Sequence, residues 1–219
     1  MASRKFGFVI VDPVSGSGDQ AVNISGEKHT GRLQRTINLT VTTNGGAKKA
    51  LVVNQAAAAE VVRSDSPNAS VQKTGGNVTI TGKSNSTKLT FSVTSAEENG
   101  LTLQLPANYT AAGKTTANGA VIADDPGAAG EFVWSITISD VPANVTIEEL
   151  TATLKVTAAG GQIANVTVTQ AAGNSTIELD KETINLDVNG TQQTVNVTSN
   201  DSWTWAQAAA RTVLRMMGR

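Results

Sequence analysis

Apolar residues along the chain recur at every second position. Ile37-Asn-Leu-Thr-Val41, Val78-Thr-Ile80, Leu101-Thr-Leu-Gln-Leu105, Val133-Trp-Ser-Ile-Thr-Ile138, Leu154-Lys-Val156 and Val195-Asn-Val197 all alternate Val, Ile or Leu with Thr, Asn, Ser, Gln or Lys. Successive side chains of a strand point to opposite faces, so a period of two predicts antiparallel sheets with one dry and one wet face. Turn signals separate these runs at Asn44-Gly45-Gly46, Gly75-Gly76, Glu98-Asn99-Gly100, Asp125-Pro126-Gly127, Gly160-Gly161 and Asn189-Gly190. Short strands spaced by glycine turns predict an all-β chain of sandwiches or barrels rather than a parallel α/β sheet.

One strand pattern occurs three times, in Asp19–Gly26, Gly76–Gly82 and Gln193–Ser199, each with a polar start, a V-x-[IV] pair and a small-residue exit. A second signature, Leu51-Val-Val-Asn-Gln-Ala-Ala57 and Val166-Thr-Val-Thr-Gln-Ala-Ala172, runs an alternating strand into Gln-Ala-Ala. Together they divide the chain into tandem small immunoglobulin-like units over 1–60, 61–173 and 174–219. Val22 to Gln55 is 33 positions and Val78 to Gln170 is 92, so the middle unit is expected to carry an insertion. The third has no closing strand and is expected to be truncated, with an open strand edge that another chain covers. After Trp203-Thr-Trp205, the Ala-rich segment 206–219 predicts a short C-terminal helix. Arg211, Arg215 and Arg219 would line one ridge of it and Ala209, Val213, Met216 and Met217 another, making it basic and amphipathic.

Composition narrows the chemistry. The chain has no Cys, one His and eight aromatics among 219 residues. No disulfide, thiolate nucleophile, Cys-ligated zinc or iron–sulfur cluster is possible, and His29 is the lone imidazole. No cofactor and no metal are expected. Asp124-Asp125-Pro126-Gly127 with Glu131 lacks the spaced oxygen array of a calcium loop and reads as a turn. Glu97-Glu98 and Glu148-Glu149 are neighbours that would point to opposite faces of a strand, and they read as surface charge rather than a glycosidase pair. No G-x-S-x-G elbow occurs. The Asn-x-Ser/Thr triplets at Asn38, Asn77, Asn144, Asn165 and Asn196 follow from strand alternation, not from glycosylation.

Charge is uneven although the total is -1. Residues 1–63 hold eight basic and four acidic side chains, net +4; residues 64–173 hold five and nine, net -4. A basic first unit suits docking by one end, with Lys28, His29, Arg32 and Arg35 as its candidate patch toward an acidic capsid surface or a phosphate, the other reading being a solvated loop. The near-zero total argues against nucleic acid wrapped on a basic face. Trp203 and Trp205 share a face on a strand and read as a core plug for the half-sandwich, the other reading being a sugar platform. Arg4 and Lys5 precede an apolar run of only Phe6–Val11, closed by Asp12-Pro13, so cytosolic synthesis without export is expected. No run reaches the roughly 18 apolar residues of a membrane span.

Residues 174–205 carry a resemblance. Ile177-Glu-Leu179, Asn189-Gly190, Val195-Asn-Val-Thr-Ser-Asn-Asp-Ser-Trp203 and Trp205 resemble the first half of a BACON domain, an immunoglobulin-like sandwich common in Bacteroidetes proteins and their phages. Val168-Thr-Gln-Ala-Ala-Gly173 resembles that family's closing strand. Gly26-Glu-Lys-His-Thr-Gly-Arg32 with Arg35-Thr36 is similar to N-terminal segments of virion proteins in crAss-like phages of Bacteroides. The resemblance implies an auxiliary capsid or head decoration protein on the capsid exterior, synthesised in the host cytoplasm. The partners it implies are the major capsid protein or other virion proteins and a further copy of the chain, with weak glycan binding. The alternative is a carbohydrate-binding or adhesive module of a bacterial surface protein. Neither reading needs catalysis, nucleic acid or a membrane.

Overall fold

The computed structural model describes residues 2–207. Its strands are β1 (Arg4–Phe6), β2 (Val9–Asp12), β3 (Asn23–Gly26), β4 (Arg35–Thr42), β5 (Lys48–Gln55), β6 (Val62–Ser64), β7 (Asn68–Val71) and β8 (Gly76–Ser84). They continue with β9 (Leu89–Ser95), β10 (Asn108–Ala111), β11 (Lys114–Ala117), β12 (Phe132–Val141), β13 (Leu150–Ala158), β14 (Ile163–Gln170), β15 (Ile177–Leu179) and β16 (Val197–Ser199). A three-residue 3-10 turn at Pro126–Ala128 is the one helical element among the described residues. The all-β class read from the alternation is the class the chain adopts. The helix expected near the C-terminus falls almost wholly outside the described residues, and Ala206 and Gln207 are not helical.

One complete sandwich lies between β6 and β14. A five-stranded sheet in the order β11-β10-β12-β8-β6 faces a four-stranded sheet in the order β7-β14-β13-β9. Alternation supplies the core: Phe132, Trp134, Ile136 and Ile138 point inward from β12, Ala152, Leu154, Val156 and Ala158 from β13, and Ala164, Val166 and Val168 from β14. Trp134 is fully buried, edge-on to Phe91 at 5.5 Å between ring centroids. It needs Gly82 beneath it, because a Cβ there would fall 2.3 Å from the indole Cζ2 and 2.1 Å from the Arg63 carbonyl oxygen. Burying the indole contributes about 2–3 kcal/mol.

The flanking units have no such core. Among the described residues, Val9 is the only buried apolar side chain outside 62–168. The first unit is a three-stranded sheet β1-β2-β3 and a separate hairpin β4-β5; the third is the pair β15-β16.

Strand register shows what these partial units are. β4 and β5 pair from Arg35↔Gln55 to Thr42↔Lys48, while β13 and β14 pair from Leu150↔Gln170 to Thr157↔Ile163, the same ladder 115 positions later. β6 meets the end of β8 from Val62↔Ser84 to Ser64↔Gly82, and β15 meets β16 from Ile177↔Ser199 to Leu179↔Val197, again 115 positions later. The first unit therefore holds the back strands of a sandwich and the third holds the front strands. This corrects the expected organisation. The middle unit is the whole repeat rather than an expanded one, and the first unit is a partial sandwich rather than a small complete one. The proposed equivalence of Asp19–Gly26 with Gly76–Gly82 joins unlike strands, since β3 leads into β4 as β12 leads into β13.

Candidate functional site

The segment between β3 and β4 holds Lys28, His29, Arg32 and Arg35, and it lies against the sandwich. The amides of Arg32 and Leu33 donate to the carbonyls of Gly127 (2.9 Å) and Ala128 (3.1 Å). Contact is so close that a Cβ at Gly31 would fall 2.4 Å from the Ala128 carbonyl oxygen. Arg32 clasps this junction: its Nε donates to the Asn85 carbonyl at 2.6 Å and its guanidinium pairs with Asp125. Arg35 turns back into its own unit, donating to Gln55 Oε1 (2.9 Å) and the Glu27 carbonyl (2.8 Å) and stacking over Phe8. His29 Nε2 donates to the Leu33 carbonyl at 2.7 Å, beside a shallow cleft of about 360 Å³ shared with Arg35 and Ala128. Lys28 is exposed. The basic cluster read from the sequence is thus used largely within the chain, with Arg32 binding the first unit to the second.

Asn85 is the centre of that junction, and nothing in its sequence context marked it. It is fully buried at the end of β8. Its Nδ2 donates to the carbonyls of Thr30 (3.0 Å) and Ala59 (2.9 Å), and its Oδ1 accepts the Val61 amide (2.8 Å). Ser84 Oγ donates to the Val61 carbonyl at 2.7 Å. A short amide offers two donors and an acceptor on one plane, enough to satisfy linker backbone that no strand pairs.

The next junction repeats this bond for bond, 115 positions on. Asn200 Nδ2 donates to the carbonyls of Val145 and Asn174, both at 2.8 Å, and its Oδ1 accepts the Thr176 amide at 2.8 Å. Ser199 Oγ donates to the Thr176 carbonyl at 2.7 Å. The Ala58 amide meets the Gly31 carbonyl at 2.8 Å, and the Gly173 amide meets the Thr146 carbonyl at 2.7 Å. The recurring Ser84-Asn85 and Ser199-Asn200 pair, with its partners at matched spacing, is the signal that sequence reading could have used.

The other candidates resolve differently. Trp203 and Trp205 are 46% and 68% exposed, with rings edge to face at 6.0 Å. The core plug expected of them is not formed, because the described residues of the third unit bury no apolar core. Arg211, Arg215 and Arg219 lie outside the described residues. Asp124 is bound by Lys114 and Asp125 by Arg32, as turn residues. Glu131 takes both arms of Arg63, and those bonds hold its carboxyl below the ordinary range against the opposing effect of burial. Burial pushes the Tyr109 phenol up. Among the described residues, no group of three His, Asp or Glu is placed to hold a metal ion, and no helix is long and apolar enough to cross a membrane.

Strand repeats locked through side-chain amides define a tandem-repeat β protein. The chain belongs to the Toastrack DUF4097 family, whose model matches residues 34–206. That span runs from the start of the β4–β5 hairpin, through the whole sandwich, to just past Trp205. No curated protein matches the chain.

Proposed function

We propose that this chain is a non-catalytic structural protein, an auxiliary capsid or head decoration protein that displays its sandwich units on a virion exterior. The observation that carries the structural part is the 115-residue repeat with its duplicated Asn85 and Asn200 junctions. Such junctions fix one unit against the next, which serves display and spacing. The phage and capsid part rests on the resemblance of residues 174–205 to a BACON-type immunoglobulin-like domain and of 26–36 to virion segments. The family match establishes the β-rich class and carries no capsid term.

With Arg32 and Arg35 bonded inside the chain, docking to an acidic capsid surface falls to the exposed basic side chains Lys28, Lys48 and Lys49. Mass spectrometry of purified particles is expected to find the chain in stoichiometric amount. The Lys28→Glu/Lys48→Glu/Lys49→Glu variant is expected to lose particle association while keeping its fold. Absence from particles overturns the reading.

The adhesive alternative is favoured by one observation, the exposed Trp203–Trp205 pair. The two rings stand at 85° and so do not form a flat platform for one sugar face. Retardation of the chain in gels containing host polysaccharide, lost on Trp203→Ala/Trp205→Ala, would favour it.

A further inference from the structure

The offset of 115 positions that sets Asn85 on Asn200 also sets His29 on Asn144. Each stands one residue before the carbonyl that the junction asparagine holds, at Thr30 and at Val145. Each also makes the same first bond. His29 Nε2 donates to the Leu33 carbonyl at 2.7 Å, and Asn144 Nδ2 donates to the matching carbonyl of Glu148, also at 2.7 Å. A carbonyl only accepts, so the ring carries its proton on Nε2 and leaves a bare lone pair on Nδ1. We infer that His29 is a proton-sensitive catch: a proton taken up at Nδ1 releases the first unit from the sandwich, while the junction built on Asn144 does not respond.

Beyond that first bond the two residues part company. Asn144 Nδ2 also reaches the Ala171 carbonyl at 3.1 Å, and its Oδ1 accepts the amide and the hydroxyl of Thr146 at 2.9 and 2.7 Å. His29 Nδ1 is shut off from water and meets no partner among the described residues. The cause is the counterpart of Thr146, which is Gly31. A Cβ at Gly31 would fall 2.4 Å from the Ala128 carbonyl oxygen and 2.5 Å from the Ala129 carbonyl carbon, so no hydroxyl-bearing side chain fits there. The junction closes over a nitrogen with nothing to bond. A neutral ring bears this, because burying an unmet lone pair costs far less than burying an unpaired charge.

Among the described residues, the charges around the ring favour its neutral form. Its own segment brings the cations Lys28, Arg32 and Arg35, and the carboxylate of Glu27 is taken by Lys5. From the sandwich, Asp125 is paired with Arg32 and Glu131 with Arg63. From the linker before β6, the Glu60 carboxylate lies against Gly160. An imidazolium must therefore turn Nδ1 out to water through the cleft it lines with Leu33 and Arg35, and turning gives up the Leu33 bond. The next residue, Thr30, holds both the Asn85 side-chain amide and the Glu131 backbone amide, so the movement loosens the whole clasp. The catch is closed while the ring is neutral and opens as pH falls through the range where imidazoles ordinarily titrate, which lies above that of carboxylates. The inference does not depend on the capsid reading.

The chain has one histidine, so its ring nitrogen resonances report the proton directly. From about pH 7.5 down to about pH 5.5, the ring is expected to protonate. In step with it, protection of the Arg32, Leu33 and Ala58 amides against hydrogen exchange, corrected for intrinsic rate, is expected to fall roughly tenfold, within the limit of about tenfold per pH unit that one proton sets. The Gly173 amide at the second junction and the amides of β8 and β12 are expected to hold, a comparison that needs no variant. His29→Asn installs the residue that the repeat itself uses at this place and leaves Asp125 and Glu131 untouched. It is expected to keep the first junction closed across the whole range, with unchanged β8 and β12 protection certifying the sandwich. A ring still neutral at the acid end, a junction that stays protected while the ring titrates, an equal loss at Gly173, or a loss that persists in His29→Asn overturns the proposal.

Discussion

Asn85→Ala and Asn200→Ala remove the same three hydrogen bonds from the same geometry, and they are expected to differ severalfold in cost. Asn85 is fully buried, so its loss strands the Val61 amide and the Thr30 and Ala59 carbonyls away from water. An unmet buried group costs about 1–3 kcal/mol, whereas a bond that water can replace costs about 0.5 kcal/mol. With some relaxation among the three, Asn85→Ala is expected to lose about 3–5 kcal/mol. Asn200 is partly exposed, so water takes over its partners and the loss is about 1 kcal/mol. At a urea slope of roughly 2 kcal/mol/M the first midpoint falls by about 2 M and the second by about 0.5 M. Trp134 reports this cleanly in a Trp203→Phe/Trp205→Phe background, where it is the one remaining indole. Equal losses at the two sites would refute the claim that burial, not bonding alone, makes the junction strong.

Three further outcomes follow from the same structure. Gly82→Ala places a methyl against the Trp134 ring and is expected to lower stability by at least 1–3 kcal/mol, seen as a fall in thermal midpoint. Arg32→Ala is expected to expose the Arg32 and Leu33 amides to hydrogen exchange while β8 and β12 stay protected, because its bonds to Asn85 and Asp125 hold only the junction. Glu131 has a folded pKa below its ordinary 4.5, first through the Arg63 hydrogen bonds. Its stabilisation is therefore complete above that value and is lost as pH falls through the depressed one. Glu131→Gln is expected to cost under about 1 kcal/mol at pH 7, since Arg63 is half exposed, and nothing once the pH is below both values. Paired melts at neutral and strongly acidic pH measure it.

The strands were legible because their signal is local. β8, β12, β13 and β14 each alternate inward and outward over eight or more residues, and Gln55-Ala and Gln170-Ala mark equivalent strand ends. The repeat length was not legible from V-x-[IV] motifs. Any half-buried strand needs that pattern, so it cannot separate β3 from β8. Arg32 read as a docking residue because its anion, Asp125, lies 93 positions away. Asn85 and Asn200 went unmarked because their partners come from two other segments of the chain. Trp203 and Trp205 alternate as core residues do, yet both are exposed, because no buried core forms among the described residues around them. Alternation is written residue by residue; junctions and completed cores depend on what the chain brings back from far away.

The pairing of β7 with β14 has a mechanical consequence. These strands lie near the start and the end of the sandwich and run parallel, from Asn68↔Thr167 to Val71↔Gln170. Tension along the chain pulls one up and the other down, so their bonds are loaded in shear, all at once, and not peeled singly. The sandwich would then yield as a whole, releasing in one step the chain that lies between β7 and β14.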